Sequence, residues 1–137
     1  MNYWLLKTEA EEFSWADLVK KKAGGWDGVR NTRAAAYLKR METGDLGFFY
    51  HTGKEKQIVG ILRVVKTAYP DKSDPTGKFV MVDVAPVKPM VTPVTLKAVK
   101  ADPQFADMQL VRIARLSVQK IEPEQWAAIC AMGGVTP

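Results

Sequence analysis

Apolar positions fall into short, dense runs separated by polar turns, and few of the runs alternate cleanly. Tyr3–Thr8 (Tyr-Trp-Leu-Leu-Lys-Thr) reads as a first strand. Leu46–His51 and Gln57–Ala68 are apolar at consecutive positions, through Phe48-Phe49-Tyr50 and Ile58-Val59-Gly60-Ile61-Leu62. Strands that are apolar on both faces must be covered on both sides, which predicts a small barrel wrapped by helices. Gly60 predicts a bend or bulge in such a strand. Phe79–Val84 is a further strand, with Val80, Val82 and Val84 on one face. Pro86, Pro89 and Pro93 then predict irregular chain as far as Thr95, and Leu110–Ile121 predicts a last extended pair of segments.

Helical spacing and cap residues place the other elements. Ser14 with Asp17 three residues on forms a capping-box pattern for a helix over Trp15–Lys21, with Phe13 and Leu18 as its hydrophobic staple. Ala34, Tyr37, Leu38 and Met41 recur at i, i+3, i+4 and i+7, so Thr32–Met41 is a helix with that face inward and Asn31 as its N-cap. Thr95 caps a short helix over Leu96–Lys100, and Glu122-Pro123 starts a final one through Cys130, with Trp126, Ile129 and Cys130 on one face. Asp71–Lys78 is a polar loop, expected to be mobile. The pattern describes one mixed α+β domain over residues 1–137, without repeats or linkers.

Trp26-Asp27-Gly28-Val29-Arg30-Asn31 lies between two of these helices and gathers chemistry. Asp27-Gly28 is a turn signal. A flat ring, a guanidinium, an amide and the free N–H groups of a helix start are offered within six residues, a set suited to a planar polar ligand or an anion. Because the chain turns on both sides of it, Trp26 is expected to face a cavity rather than sealed core. A blander reading stands beside this one, with Trp26 in the core, Asn31 only a cap and Arg30 a solvated charge.

Charge sharpens the picture. The net charge is +5, and between Leu18 and Arg40 seven basic residues (Lys20, Lys21, Lys22, Arg30, Arg33, Lys39, Arg40) face one acid, Asp27. That local excess points to a polyanion, with Lys20, Lys21, Lys22, Arg33 and Arg40 as phosphate contacts. A lysine-rich solvated face would look the same. No run nears the roughly 20 apolar residues of a membrane span, and the N-terminus lacks the form of a signal peptide. One cysteine excludes an intrachain disulfide, and a single histidine with it argues against zinc. A cytoplasmic protein without metal or cofactor is expected.

Catalytic machinery is hard to assemble. His51 is the only histidine, Ser117 and Cys130 are the nucleophiles that could pair with it, and no nucleophile elbow or phosphate loop is present. Cys130 reads as a small core hydrophobe. Aromatic and hydrogen-bonding residues gather instead at strand ends, namely Trp4, Trp26, Tyr50, His51, Arg30 and Asn31, as suits stacking on an unstacked base and reading its edge.

Seven motifs then stand in a telling order: Tyr3-Trp4-Leu5-Leu6-Lys7-Thr8-Glu9, Trp26–Asn31, Gly44-Asp45-Leu46 with Phe49-Tyr50-His51, Ile58-Val59-Gly60, Tyr69-Pro70-Asp71, Pro93-Val94-Thr95-Leu96 and Arg115-Leu116-Ser117-Val118. In these the chain resembles the EVE-domain family, in its stand-alone bacterial form and similar to the thymocyte nuclear protein family. The resemblance implies a PUA-like fold, a small mixed-sheet β-barrel with helices packed around it, related to YTH and ASCH domains. It also implies a module that binds DNA or RNA carrying a modified base such as 5-methylcytosine. Carried over by position, the base-binding residues would be Trp26, Arg30, Asn31, Tyr50, His51, Arg115, Leu116 and Ser117, with Lys7 and Asp71 at the margin. The chain departs from the usual pattern at Ala10, Thr32, Thr52 and Phe79, and Thr32 and Thr52 adjoin the expected pocket. A non-catalytic reader of a modified nucleobase is the leading expectation. The alternatives are a small enzyme acting on a modified nucleotide or nucleoside, and a scaffold for a protein partner.

Overall fold

The dense apolar strands are buried from both sides, and that fixes the architecture. A computed structural model, which describes residues 1–136, shows β1 (Tyr3–Thr8), α1 (Trp15–Lys21), β2 (Gly24–Trp26), α2 (Thr32–Arg40), β3 (Leu46–His51), β4 (Gln57–Pro70), β5 (Val80–Thr95), α3 (Leu96–Ala101), a 3-10 turn at Pro103–Phe105, α4 (Gln109–Arg112), β6 (Val118–Ile121) and α5 (Pro123–Met132). Neighbouring residues of one strand feed different cores. Trp4, Leu6, Phe49, Leu62, Val64 and Val118 meet Leu18 of α1 and Ala34, Ala35 and Leu38 of α2. Leu5, Phe48, Tyr50, Ile58, Ile61 and Ile121 meet Val99, Phe105, Leu110, Trp126 and Ile129 on the other side. Strand and helix expectations are met for β1, α1, α2 and β3, where period and caps agree. The capping box is present, with Ser14 Oγ accepting from Asp17 N–H and Asp17 Oδ2 from Ser14 N–H.

The closed barrel is corrected. The strand order is β2-β5-β4-β3-β1-β6, with β1 and β3 parallel and the other pairs antiparallel, and no ladder joins β2 to β6 among the described residues. Both outer strands are short. α2 touches β4, β5 and β6, so the sheet curls around a helix without closing on itself.

Two other expectations change. Pro86, Pro89 and Pro93 do not interrupt the chain but lie within β5, whose pairing with β4 shifts register four times. β2 covers only Val82–Val84 of β5, so farther along β5 has an open side where a missing N–H breaks no ladder bond. The span Leu110–Ile121 is not an extended pair, because α4 precedes a four-residue β6. One helical turn is too short to show a period in sequence. No helix among the described residues is long and apolar enough to cross a membrane.

Gly60 marks a bulge, as its position suggested, and also a close approach: a Cβ there would come within 2.6 Å of the Trp15 ring of α1. Trp15 packs edge-on against Phe49 at 5.5 Å, so a methyl at Gly60 must displace that ring from its contact. Gly60→Ala is therefore expected to cost about 1–3 kcal/mol by urea unfolding, the usual range for overpacking. A loss within the roughly 0.5 kcal/mol of a neutral surface change would show that the helix gives way freely.

Candidate functional site

A cleft of about 740 Å³ opens where β1 and β2 run out. The end of β1 gives Lys7 and Thr8, the following loop gives Glu9, Glu12 and Phe13, and α1 gives Lys21. Gly25 to Val29 form a wall, and Thr52, Ala114, Arg115 and Ser117 complete the lining. Among the described residues, no group of His, Cys, Asp and Glu is arranged to hold a metal.

Two aromatic rings, Trp26 and Phe13, lie among the apolar lining residues. Trp26 is only 5% exposed, and its ring stands edge-on to Phe49 at 5.2 Å and to Phe13 at 5.9 Å. It is core residue and cleft wall at once, which corrects the choice between cavity and sealed core. Phe13 is half-buried beside it, with Lys21 Nζ 5.4 Å from its ring centre.

Lys7 is held on the polar side. Its backbone N–H donates to Ser117 O at 2.8 Å, and its ammonium donates to Ala114 O at 2.9 Å, 5.6 Å from the Tyr50 ring centre. Burial lowers its pKa below the ordinary lysine value, since desolvation disfavours the charged form. An ammonium has three donors, so Lys7 keeps hydrogen-bonding capacity beyond Ala114. The lining holds three cations, Lys7, Lys21 and Arg115, and three carboxylates, Glu9, Glu12 and Asp27. It is not a trough for a polyanion. Mixed donors and acceptors beside flat rings suit a neutral planar ligand.

The wall from Gly25 to Val29 is fixed from behind. Gly28 has φ +78°, and its N–H donates to Asp71 Oδ2 at 2.9 Å. The same oxygen accepts from Arg30 Nη1 at 3.0 Å, and Asp71 Oδ1 accepts from Ser73 N–H and hydroxyl at 2.8 and 2.6 Å. The Asp71 side chain is fully buried. Burial alone would raise its pKa, but the bonds from Ser73, Gly28 and Arg30 prevail and hold it down to about 2. Asp74 repeats the device on Thr76, Lys78 and Phe79. The polar loop expected to be mobile is thus tied down at both ends.

The other expected site residues lie around the cleft rather than in its lining. Arg30 donates to Asp71, Ser73 Oγ and Val29 O. Asn31 Oδ1 caps α2 by accepting from Ala34 N–H at 3.0 Å. Leu116 is buried in the core that holds Trp26. Tyr50 is buried beneath Lys7, and burial raises its pKa to about 12. His51 Nε2 accepts from the Trp15 N–H at 3.1 Å, so its proton sits on Nδ1 and faces Glu55 Oε1, also at 3.1 Å. Of the basic patch, Lys21 reaches the cleft, Lys20 and Lys22 are exposed beside it in sequence, and Arg33 and Arg40 flank Tyr37 on α2. Lys7, Trp26, Arg115 and Ser117 are the expected residues that the fold brings together.

Comparison with known proteins supplies the family, because the EVE domain family model matches residues 2–132. The chain belongs to the EVE family. Mouse thymocyte nuclear protein 1 is 34% identical over 99% of the chain and 75% of its own length. A Rhodopseudomonas palustris protein solved by NMR is 47% identical, with a TM-score of 0.92 over 98% of this chain and 94% of that one. The human THYN1 protein, solved in complex with 5-methylcytosine-containing DNA, is 31% identical, with a TM-score of 0.90 over 100% of both chains. A YTH domain from Zygosaccharomyces rouxii shares the fold alone, at 18% identity and a TM-score of 0.57 over 96% of this chain and 86% of that one.

In this EVE domain the cleft residues that sequence reasoning missed include Phe13, Glu9, Glu12, Asp27 and Thr8. Phe13 carried a signal, but for a different role: an aromatic before a helix cap reads as a staple. Asp71 makes a pH prediction. Its folded pKa lies below the unfolded value, so its contribution to stability is complete above about pH 4 and fades as pH falls toward 2. Asp71→Asn should lower stability at pH 7, and urea unfolding should show the gap to the parent closing across that window. A gap constant from pH 7 to pH 2 would mean the carboxylate charge is not what holds the wall.

Proposed function

We propose that this EVE domain is a non-catalytic reader of a modified nucleobase, 5-methylcytosine or a close derivative, in a DNA strand. The observation that carries this is the cleft itself, in which aromatic walls adjoin a charge-balanced set of donors and acceptors, on a chain superposable with a human relative solved on 5-methylcytosine-containing DNA. A base swung out of its stack costs a few kcal/mol, to be recovered by stacking and edge contacts. Phe13 and the exposed edge of Trp26 supply the apolar surface, while Lys7, Arg115 and Ser117 supply donors. Arg30, Asn31, Tyr50, His51, Leu116 and Asp71 act from behind by setting the positions of these groups. Lys20, Lys21, Lys22, Arg33 and Arg40 hold phosphates, Lys21 nearest the base. Two observations favour binding over catalysis. Both nitrogens of His51 are engaged, and Cys130 is buried with its thiol pushed up to about 11. A cysteine of that kind also suits the reducing cytoplasm, where we place the protein.

The test is titration of oligonucleotides that differ only in one base, in DNA and RNA versions. 5-Methylcytosine should be preferred to cytosine by roughly 10–200-fold, the discrimination a methyl-sized niche allows. Lys7→Met and Ser117→Val should each weaken binding while leaving the protein folded, because each removes a donor from the cleft. Equal affinity for the two bases, or conversion of the oligonucleotide to a new product, would overturn the reading. RNA binding tighter than DNA binding would reassign the strand.

A further inference from the structure

The loop between β4 and β5, a polar stretch expected to be mobile, is tied down through two carboxylates. Its two acids, Asp71 and Asp74, are both buried. Each is turned inward and saturated: Asp71 accepts from Gly28, Arg30 and Ser73, and Asp74 from Thr76, Lys78 and Phe79. Lys72 and Lys78 are both exposed. The charged side chains that the loop shows to solvent are therefore its lysines, although Asp71–Phe79 carries as many acids as lysines. Arg30 adds to it, since its side chain is 41% exposed while paired to Asp71 and keeps donors beyond those it spends.

The loop is also indexed to the cleft. Asp71 Oδ2 binds the N–H of Gly28, a lining residue, and the same carboxylate binds Ser73 within the loop. Loop and cleft wall thus share one buried carboxylate. A separate element, α1, brings Lys21 to the same cleft. Cations stand on both the helix that borders the cleft and the loop that backs its wall.

We propose that the loop from Asp71 to Phe79 is a rigid phosphate-holding arm, in which Lys72 and Lys78, with Arg30 at the base, contact the backbone of the strand whose base occupies the cleft. This rests on the reading of the cleft given above. The arm works together with the lysines of α1, so that phosphates on two flanks of the flipped nucleotide are held at a fixed distance from the pocket. Phosphate contacts carry no base information, so the arm sets affinity and register and leaves base preference to the cleft.

The test is a salt titration of binding to a 5-methylcytosine duplex and its unmodified twin, for the parent, for K72Q/K78Q, and for K97Q/K100Q as control. Lys97 and Lys100 are exposed on α3, whose Val99 packs into the opposite core. In K72Q/K78Q the slope of log K against log salt should shrink by about 2, since each phosphate contact contributes close to one unit. Between 50 and 200 mM salt the parent should then lose about tenfold more affinity than the variant. The ratio of modified to unmodified affinity should stay unchanged, and so should every property of the control. A K72Q/K78Q slope equal to the parent's, with the parent still preferring the modified duplex, overturns the arm and leaves the reader standing. A changed base preference in K72Q/K78Q also overturns it, because the lysines would then belong to the pocket. A parent that binds neither duplex removes both proposals.

Discussion

A sheet buried on both faces has no face left for a ligand, and that constraint governs the rest of this structure. β1, β3 and β4 each send neighbouring side chains into opposite cores, one roofed by α1 and α2 and the other by α3, α4 and α5. Burying a large apolar side chain on either side contributes about 1.5–3 kcal/mol, so opening a face to make a pocket would be costly. A site can form only where strands stop. The cleft lies at such a place, where Lys7-Thr8-Glu9 leave β1, Trp26 ends β2 and Thr52 follows β3. The short, unclosed margins of the sheet belong to the same arrangement, since closure would leave no gap between β2 and the segment that enters β6.

A site at strand ends consists largely of loops, and loops need their own means of order. Here polar side chains supply it. Asp71 holds the wall around Gly28, His51 at the end of β3 accepts the first N–H of α1, and the carbonyls of Ala114 and Ser117 hold Lys7 at the end of β1. Each ties the cleft surroundings to a residue distant in sequence. Where such a group is buried, as Asp71 is, leaving its partner unpaired costs about 1–3 kcal/mol. Arg30, one of the expected ligand contacts, takes part in such a tie through Asp71 and Ser73, and Asn31 caps α2.

The parts legible in sequence were those whose signal is local. Ser14 with Asp17, Asn31 before Ala34, and the dense runs of β1 and β3 gave element positions close to those observed, because caps and burial act within a few residues. The motif order identified the family. The closed barrel was not legible correctly, because closure depends on whether β2 finds β6, a long-range pairing on which local pattern is silent. β2 itself begins with two glycines and offers no side-chain pattern to read. Of the candidate site, four of the residues named from the sequence, Lys7, Trp26, Arg115 and Ser117, line one cleft. The pairing of Arg30 with Asp71 was not legible, because the two are 41 residues apart and chemistry alone does not tell a guanidinium that also grips a buried carboxylate from one that does not.

Backbone amide NMR during titration with a duplex bearing one 5-methylcytosine measures most directly whether the strand-end cleft is where this EVE domain meets its ligand. Saturable shifts should concentrate on Lys7, Phe13, Trp26, Gly28 and Ser117, with larger movement for the modified duplex than for its cytosine twin. Shifts centred instead on α3 and α5, or the same shifts of the same size with both duplexes, would contradict the cleft as the site of base recognition.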